Sequence, residues 1–251
     1  MKVISIFSDS WYWSWNHTLK SRLKEKKIKL PVMKEFLEFK GYDAIPYASP
    51  GSSFSRIVNQ YFNKQSKNYV KPKGNISLIF FSGIVRREEG DNPVSKDWLN
   101  YCHDYELFNR WYDKEVNKFL DIVEVWAKEH NQKVIIAGGH TRFDAKYIEG
   151  RKNFFLLTED IIESLVLMYN TWKRLDTPLY GRFKLCRDIV DHKIETWHPD
   201  LLNEVHRDLH DFESCQLAKL ILWPDSGHLN IQSYYYLVDW LVDFIEKKLV
   251  N

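Results

Sequence analysis

The chain has 251 residues, enough to bury a full hydrophobic core within one domain. Hydrophobic residues make up 44% and charged residues 28%, which excludes disorder as the default state. A formal net charge of +2 falls well short of a nucleic-acid-binding footprint, so no nucleic-acid partner is expected.

Val3–Phe7 (VISIF) is a short apolar, β-branched run that stops at Ser8, Asp9 and Ser10. An unbroken apolar run bounded by small polar residues predicts a strand buried on both faces, as in parallel sheets. The opening MKVISIF is too short for a signal-peptide core, and no stretch reaches membrane-spanning length. A cytoplasmic location without a membrane partner is therefore expected. Trp11 to Lys27 turns charged and can be helical; it contains most of the basic run Lys20–Lys29 (KSRLKEKKIK), which reads as a solvated helix face. Leu30 to Lys40 places Val32, Met33, Phe36, Leu37 and Phe39 at near-helical spacing, with Pro31 at its start and Gly41 at its end.

A second strand is predicted at Ala44–Ala48, followed by the turn cluster Ser49-Pro50-Gly51-Ser52-Ser53, which opens another helix. A third, Ile76–Phe81 (ISLIFF), ends at Ser82-Gly83. Trp98 to Lys128 carries a long helical pattern with Phe119, Leu120, Val123 and Trp126 on one face. Lys133–Ala137 (KVIIA) is the fourth strand, ending at Gly138-Gly139-His140, and Phe154–Thr158 the fifth. Residues 159–216 read as a helical and loop insertion in an otherwise single domain spanning 1–251. Ile231 to Leu249 reads as a terminal amphipathic helix. Strands alternating with helices predict an α/β fold with a mainly parallel five-stranded sheet. In such sheets ligands bind beyond the carboxyl ends of the strands, where these turn clusters fall.

Cys102, Cys186 and Cys215 are odd in number and widely spaced, so neither a disulfide framework nor a cysteine metal site is expected. His206 and His210 stand four apart, but the residues between them are Arg207, Asp208 and Leu209, without the glutamate of a zinc-protease helix. No metal and no cofactor is expected.

Ser10 arrives at the sheet's carboxyl edge. A serine there offers its hydroxyl to a substrate, provided that a base activates it; an N-cap explains the same residue without chemistry. Near the other end stands Asp225-Ser226-Gly227-His228. A carboxylate three positions from an imidazole, across a turn, can hold Nδ1 and leave Nε2 for a serine hydroxyl. A surface turn accounts for these two residues equally well.

Phe7-Ser8-Asp9-Ser10 after an apolar strand, Gly51 after the second strand, and Asp225-x-x-His228 before the terminal helix together resemble the SGNH (GDSL-type) hydrolases, in the family's own order. The resemblance implies a three-layer α/β/α sandwich of flavodoxin-like type and a serine esterase or deacetylase. It assigns Ser10 as nucleophile, His228 as base, Asp225 as its orienting carboxylate, and the Ser10 and Gly51 backbone N–H groups as the oxyanion hole. The family's first glycine is Ser8 here. Its third block, Gly-x-Asn, is matched by Gly83-Ile84-Val85, and valine has no donor for an oxyanion. Asp9, Arg86, Arg87, His140 and Arg142 are further candidates for substrate or oxyanion contacts. The aromatic cluster Trp11-Tyr12-Trp13-Ser14-Trp15 reads as core or as a wall for a flat substrate. The expected partner is a small acyl ester or an acylated glycan. The alternative, favoured by Val85, is a protein that keeps the fold but serves as a binding or assembly module.

Overall fold

The computed structural model describes residues 2–9, 33–49, 52–84, 104–139, 141–161, 164–165 and 231–249. They divide between two compact units, one drawn from Met1–Tyr12 and Gly41–Ile161, the other from Trp13–Lys40 and Ile162–Asn251.

The first unit is built on five strands: β1 (Lys2–Ser8), β2 (Tyr42–Ala48), β3 (Ile76–Phe81), β4 (Lys133–Gly138) and β5 (Phe154–Thr158). All neighbours pair in parallel, in the order β2-β1-β3-β4-β5. This is the strand order of the flavodoxin-like α/β class. Each expected strand is present. β2 starts at Tyr42 rather than Ala44, because Tyr42 and Asp43 are in register with Lys2 and Val3 of β1. Pro46 is accommodated because β2 is an edge strand, where a missing N–H leaves no ladder bond unmade. The β4–β5 register shifts between Ile136 and Ala137, a bulge next to the other edge.

Both sheet faces are removed from solvent, which is why the strands read as unbroken apolar runs. One face carries Phe7, Ile79, Phe81, Val134, Ile136 and Phe154 into a shared core. Helices α2 (Phe54–Tyr61) and α3 (Tyr105–Glu129) close it with Ile57 and Val58 from the first and Phe119, Leu120, Val123 and Trp126 from the second. Trp126 anchors this layer. Its ring meets Phe7 and Phe62 edge-on, at 5.7 and 4.6 Å between centroids, and its Nε1–H donates to the Val70 carbonyl at 2.9 Å. On the other face Ile4, Ile6, Leu78, Phe80, Ile135 and Ala137 are equally buried. The periodic stretch predicted from Trp98 forms its described helix from Tyr105. Asp104 caps that helix, its carboxylate accepting from the Leu107 N–H at 3.0 Å.

The second unit contributes α1 (Met33–Phe39) and α4 (Ile231–Lys248). The terminal helix buries Tyr234, Leu237, Val238, Leu241 and Ile245, one face at helical spacing. Phe36 of α1 meets Tyr235 edge-on at 5.5 Å, and Lys40 forms an ion pair with Asp239. No helix among the described residues is long and apolar enough to cross a membrane.

The tightest backbone approach in the first unit lies at Gly138, where an added Cβ would stand 1.7 Å from the Glu159 carbonyl oxygen. Backbone cannot rotate away as a side chain can, so Gly138→Ala is expected to destabilise by about 3 kcal/mol or more. Gly150→Ala serves as the control, since its Cβ would meet nothing within 4 Å and only its φ of +77° is unfavourable. That strain costs about 1–2 kcal/mol. Urea unfolding of the two variants should rank them in this order.

Candidate functional site

The chain leaves β1, forms β2 on one side of it, and then crosses to build β3 on the other. The winding therefore reverses between β1 and β3. In α/β sheets a ligand crevice opens at such a reversal, outside the carboxyl ends of the two strands.

Small residues build the described part of the sheet's carboxyl edge at this reversal. At the end of β1, Ser8 donates its hydroxyl to the Asp9 carbonyl at 3.0 Å, and Asp9 is fully buried. Ser49, leaving β2, donates its N–H to the Ser8 carbonyl at 3.0 Å. Ser52 N–H closes a turn on the Ser49 carbonyl at 3.1 Å, and the Ser52 carbonyl accepts from the Ser82 hydroxyl at 3.0 Å. Phe54 N–H reaches the Gly83 carbonyl at 2.7 Å, and the Ser55 hydroxyl the Ile84 carbonyl at 2.8 Å. The exit from β2 is thus tied to the end of β1 at one point and to the end of β3 at three. Because β1 lies between β2 and β3, this connection crosses the carboxyl end of β1.

Local sequence explains the path. Ser53 takes an extended conformation and caps α2 with its side chain, accepting from the Arg56 N–H at 3.3 Å. Gly83 has φ +81°, the left-handed region, and a Cβ there would stand 2.8 Å from the Thr141 hydroxyl. Glycine at position 83 is therefore favoured both by the turn and by the neighbouring Thr141 side chain. Behind Ile84 the Tyr112 phenol is pushed up to about 12 by burial, and it shares a hydrogen bond with the Ile84 backbone. That tyrosine stays neutral at physiological pH and acts as a support for the β3 exit.

The edge beyond β4 is held separately. Gly139 N–H donates to the Phe81 carbonyl at 2.9 Å. Arg142 donates from Nε to Glu159 at 3.1 Å and forms an ion pair with it. The Ala145 N–H, and after it the Arg142 guanidinium, hold the Glu159 carboxyl below the usual carboxylate range.

Of the sequence-derived candidates, Asp9 is buried directly after β1, and Arg142 stands on the β4–β5 side, paired with a carboxylate. Ser10, Gly51, Val85, Arg86, Arg87, His140, Asp225 and His228 lie outside the described residues. So do the Trp11–Trp15 cluster, the basic run Lys20–Lys29, the three cysteines, His206 and His210. Among the described residues no group of three or more His, Cys, Asp or Glu side chains comes together as a metal site would require. Sequence reading did not single out Ser52, Ser55, Ser82 or Tyr112. For Ser52 the signal was the serine-rich turn cluster Ser49–Ser53, which marks a loop and not the bonds it makes.

No family model matches the chain, and no curated protein matches it. Among solved structures, the crystal structure of TesA is similar to it with 12% identity, covering 66% of this chain and 81% of that one, at a TM-score of 0.32. A TM-score this low carries nothing over, and the α/β class rests on the strand order and the parallel pairing.

The Glu159 interactions give an acid dependence whose sign is fixed. A carboxyl held low in the folded state stabilises the fold above its unfolded value near 4.5, and this contribution disappears as pH falls through the folded value. Glu159→Gln is therefore expected to unfold at lower urea than the unsubstituted protein at pH 7. The gap should narrow once pH falls below the unfolded value and close only below the lowered folded value. A gap that stays constant with pH would show that the carboxylate charge is not involved.

Proposed function

We propose that this protein is a serine-dependent hydrolase that cleaves an acyl ester, with Ser10 as nucleophile, His228 as general base and Asp225 orienting the imidazole. The observation that carries the reading is the connection from β2, tied to Ser8 and to Ser82-Gly83 across the carboxyl end of β1. It borders the point where the chain proceeds from Asp9 to Ser10. The SGNH-like blocks support the same reading, since their first and third blocks, at Ser8–Ser10 and from Gly83 on, fall at the two strand ends that flank the winding reversal.

In the proposed reaction His228 Nε2 takes the Ser10 hydroxyl proton as Oγ bonds to the ester carbonyl carbon. The carbonyl π pair moves onto oxygen, where the Ser10 and Gly51 N–H groups stabilise it. Collapse breaks the bond to the alcohol, which leaves with the proton held by His228. Water repeats the sequence on the acyl-serine and releases the acid. Asp225 stabilises the imidazolium at each stage. Small acyl esters or O-acylated glycans are the substrate class, the latter because of the Trp11–Trp15 cluster directly after the nucleophile. Val85 favours a second reading, in which the fold is kept for binding or assembly.

Reaction with a fluorophosphonate separates the two. The hydrolase reading expects labelling that disappears in Ser10→Ala, together with a loss of kcat of at least about 10⁴-fold on an acyl ester panel. It also expects kcat/KM to fall as pH drops below about 6.5, when the imidazole takes up a proton and no longer serves as base. Labelling that is unaffected by Ser10→Ala, or absent from the unsubstituted protein, would remove Ser10 from any mechanism and leave the binding reading.

A further inference from the structure

The hydroxyls of Ser8, Ser53, Ser55 and Ser82 along this edge each make a hydrogen bond. Ser8 bonds the Asp9 carbonyl, Ser53 and Ser55 bond each other at 2.9 Å, Ser55 also bonds the Ile84 carbonyl, and Ser82 bonds the Ser52 carbonyl. Ser52 is fully buried, and its Oγ has no hydrogen-bond partner. Burying a hydroxyl without a partner is unfavourable, so such groups in native folds call for an explanation, of which a functional role is one. Ser5 Oγ is also buried and unpaired, but it lies in mid-strand, level with Ser77 and Ile45, away from the carboxyl edge.

Backbone bonds fix the place of Ser52. Its N–H is engaged by Ser49 and its carbonyl by Ser82, so the residue is held on both sides while its side chain keeps its donor unspent. It belongs to the connection that crosses the end of β1, and it directly follows Gly51. A donor fixed in a water-excluded position before reaction, with no bond to break first, is what stabilisation of a developing oxyanion requires.

We propose that the Ser52 hydroxyl is the side-chain donor to the substrate oxyanion, the function for which Val85 has no donor. This inference rests on the reading of Ser10 as nucleophile. As Ser10 Oγ bonds to the ester carbonyl carbon and the π pair moves onto oxygen, Ser52 O–H donates to that oxygen. Ser52 keeps its proton throughout. When the carbonyl re-forms and the alcohol departs with the proton from His228, the Ser52 bond weakens to its ground-state value. A donor used mainly in the transition state contributes to kcat rather than to KM.

The test compares Ser52→Ala, Ser52→Thr and Ser10→Ala with the unsubstituted protein, using para-nitrophenyl acetate for turnover, a fluorophosphonate for labelling rate, and thermal unfolding for stability. Ser52→Ala is expected to lower kcat by about 10²-fold or more with little change in KM, and to slow labelling similarly. Its unfolding midpoint should stay the same or rise, because the hydroxyl removed has no partner in the resting fold. Ser52→Thr retains the donor and should keep kcat within about tenfold of the unsubstituted protein, less than the loss of a whole donor. If Ser10→Ala abolishes turnover while Ser52→Ala leaves kcat intact, this inference fails and the hydrolase reading stands. If Ser52→Ala lowers the unfolding midpoint and Ser52→Thr restores neither midpoint nor kcat, Ser52 is structural and the inference also fails. Turnover that survives in Ser10→Ala, or an unsubstituted protein that neither turns over nor labels, overturns both.

Discussion

The position of β1 constrains much of the rest. It pairs with β2 on one side and β3 on the other, and both of its faces are buried. A central parallel strand can only be followed by chain that emerges at the middle of the carboxyl edge. There, the connection from β2 has to reach past β1 on its way to α2 and then β3. The two segments meet because the topology leaves them no other course. Right-handed crossovers in α/β sheets impose this arrangement generally, and the residues at the meeting point determine what is made of it.

Those residues are small and polar for a physical reason. Where strands end, backbone N–H and C=O groups lose their ladder partners and must find others. Here Ser49, Ser52 and Phe54 bring N–H groups, Ser8 and Gly83 bring carbonyls, and the hydroxyls of Ser55 and Ser82 cover the Ile84 and Ser52 carbonyls. At Gly83 an added Cβ would stand 2.8 Å from the Thr141 hydroxyl, which disfavours a larger residue there. The result is an edge where several described backbone groups find new partners. Within it, the buried Ser52 hydroxyl has no hydrogen-bond partner.

A second polar network secures the opposite part of the same unit. Arg151, whose side chain is 13% exposed, donates to Glu124 at 2.5 Å, to Asp121 at 2.7 Å, and from Nε to the Tyr147 carbonyl at 3.0 Å. Tyr147 in turn donates its hydroxyl to Asp113, and Lys146 pairs with Asp113 at 3.2 Å. These bonds hold the segment between β4 and β5 on α3. Glu124 is drawn below the ordinary carboxylate range by Lys128 first and by Arg151. Exposed pairs of this kind add little individually, but the partly buried Arg151–Glu124 pair keeps a neighbouring edge strand in place. The network is scaffolding: it lets α3 carry Trp126 and Tyr112 in a fixed relation to the sheet.

The sequence by itself determined the five strands and the α/β class. Runs such as VISIF and ISLIFF are unbroken because a parallel sheet buries both faces, and that property is carried by each segment alone. The Ser49–Ser53 cluster announced a turn for the same reason, since its residue types favour turns wherever they occur. Tertiary structure alone decided what depends on partners distant in sequence. The extension of β2 to Tyr42 comes from Lys2 across the ladder, and the pairing of Arg142 comes from a glutamate seventeen residues further on. The distinction between Ser52 and its neighbouring serines has the same origin. In sequence they are equivalent hydroxyls, and only the folded arrangement of Ser8, Ser82 and Ile84 settles which are engaged. Periodicity records how a residue is buried, whereas a hydrogen bond records what it is buried against, and the latter is a property of two segments at once.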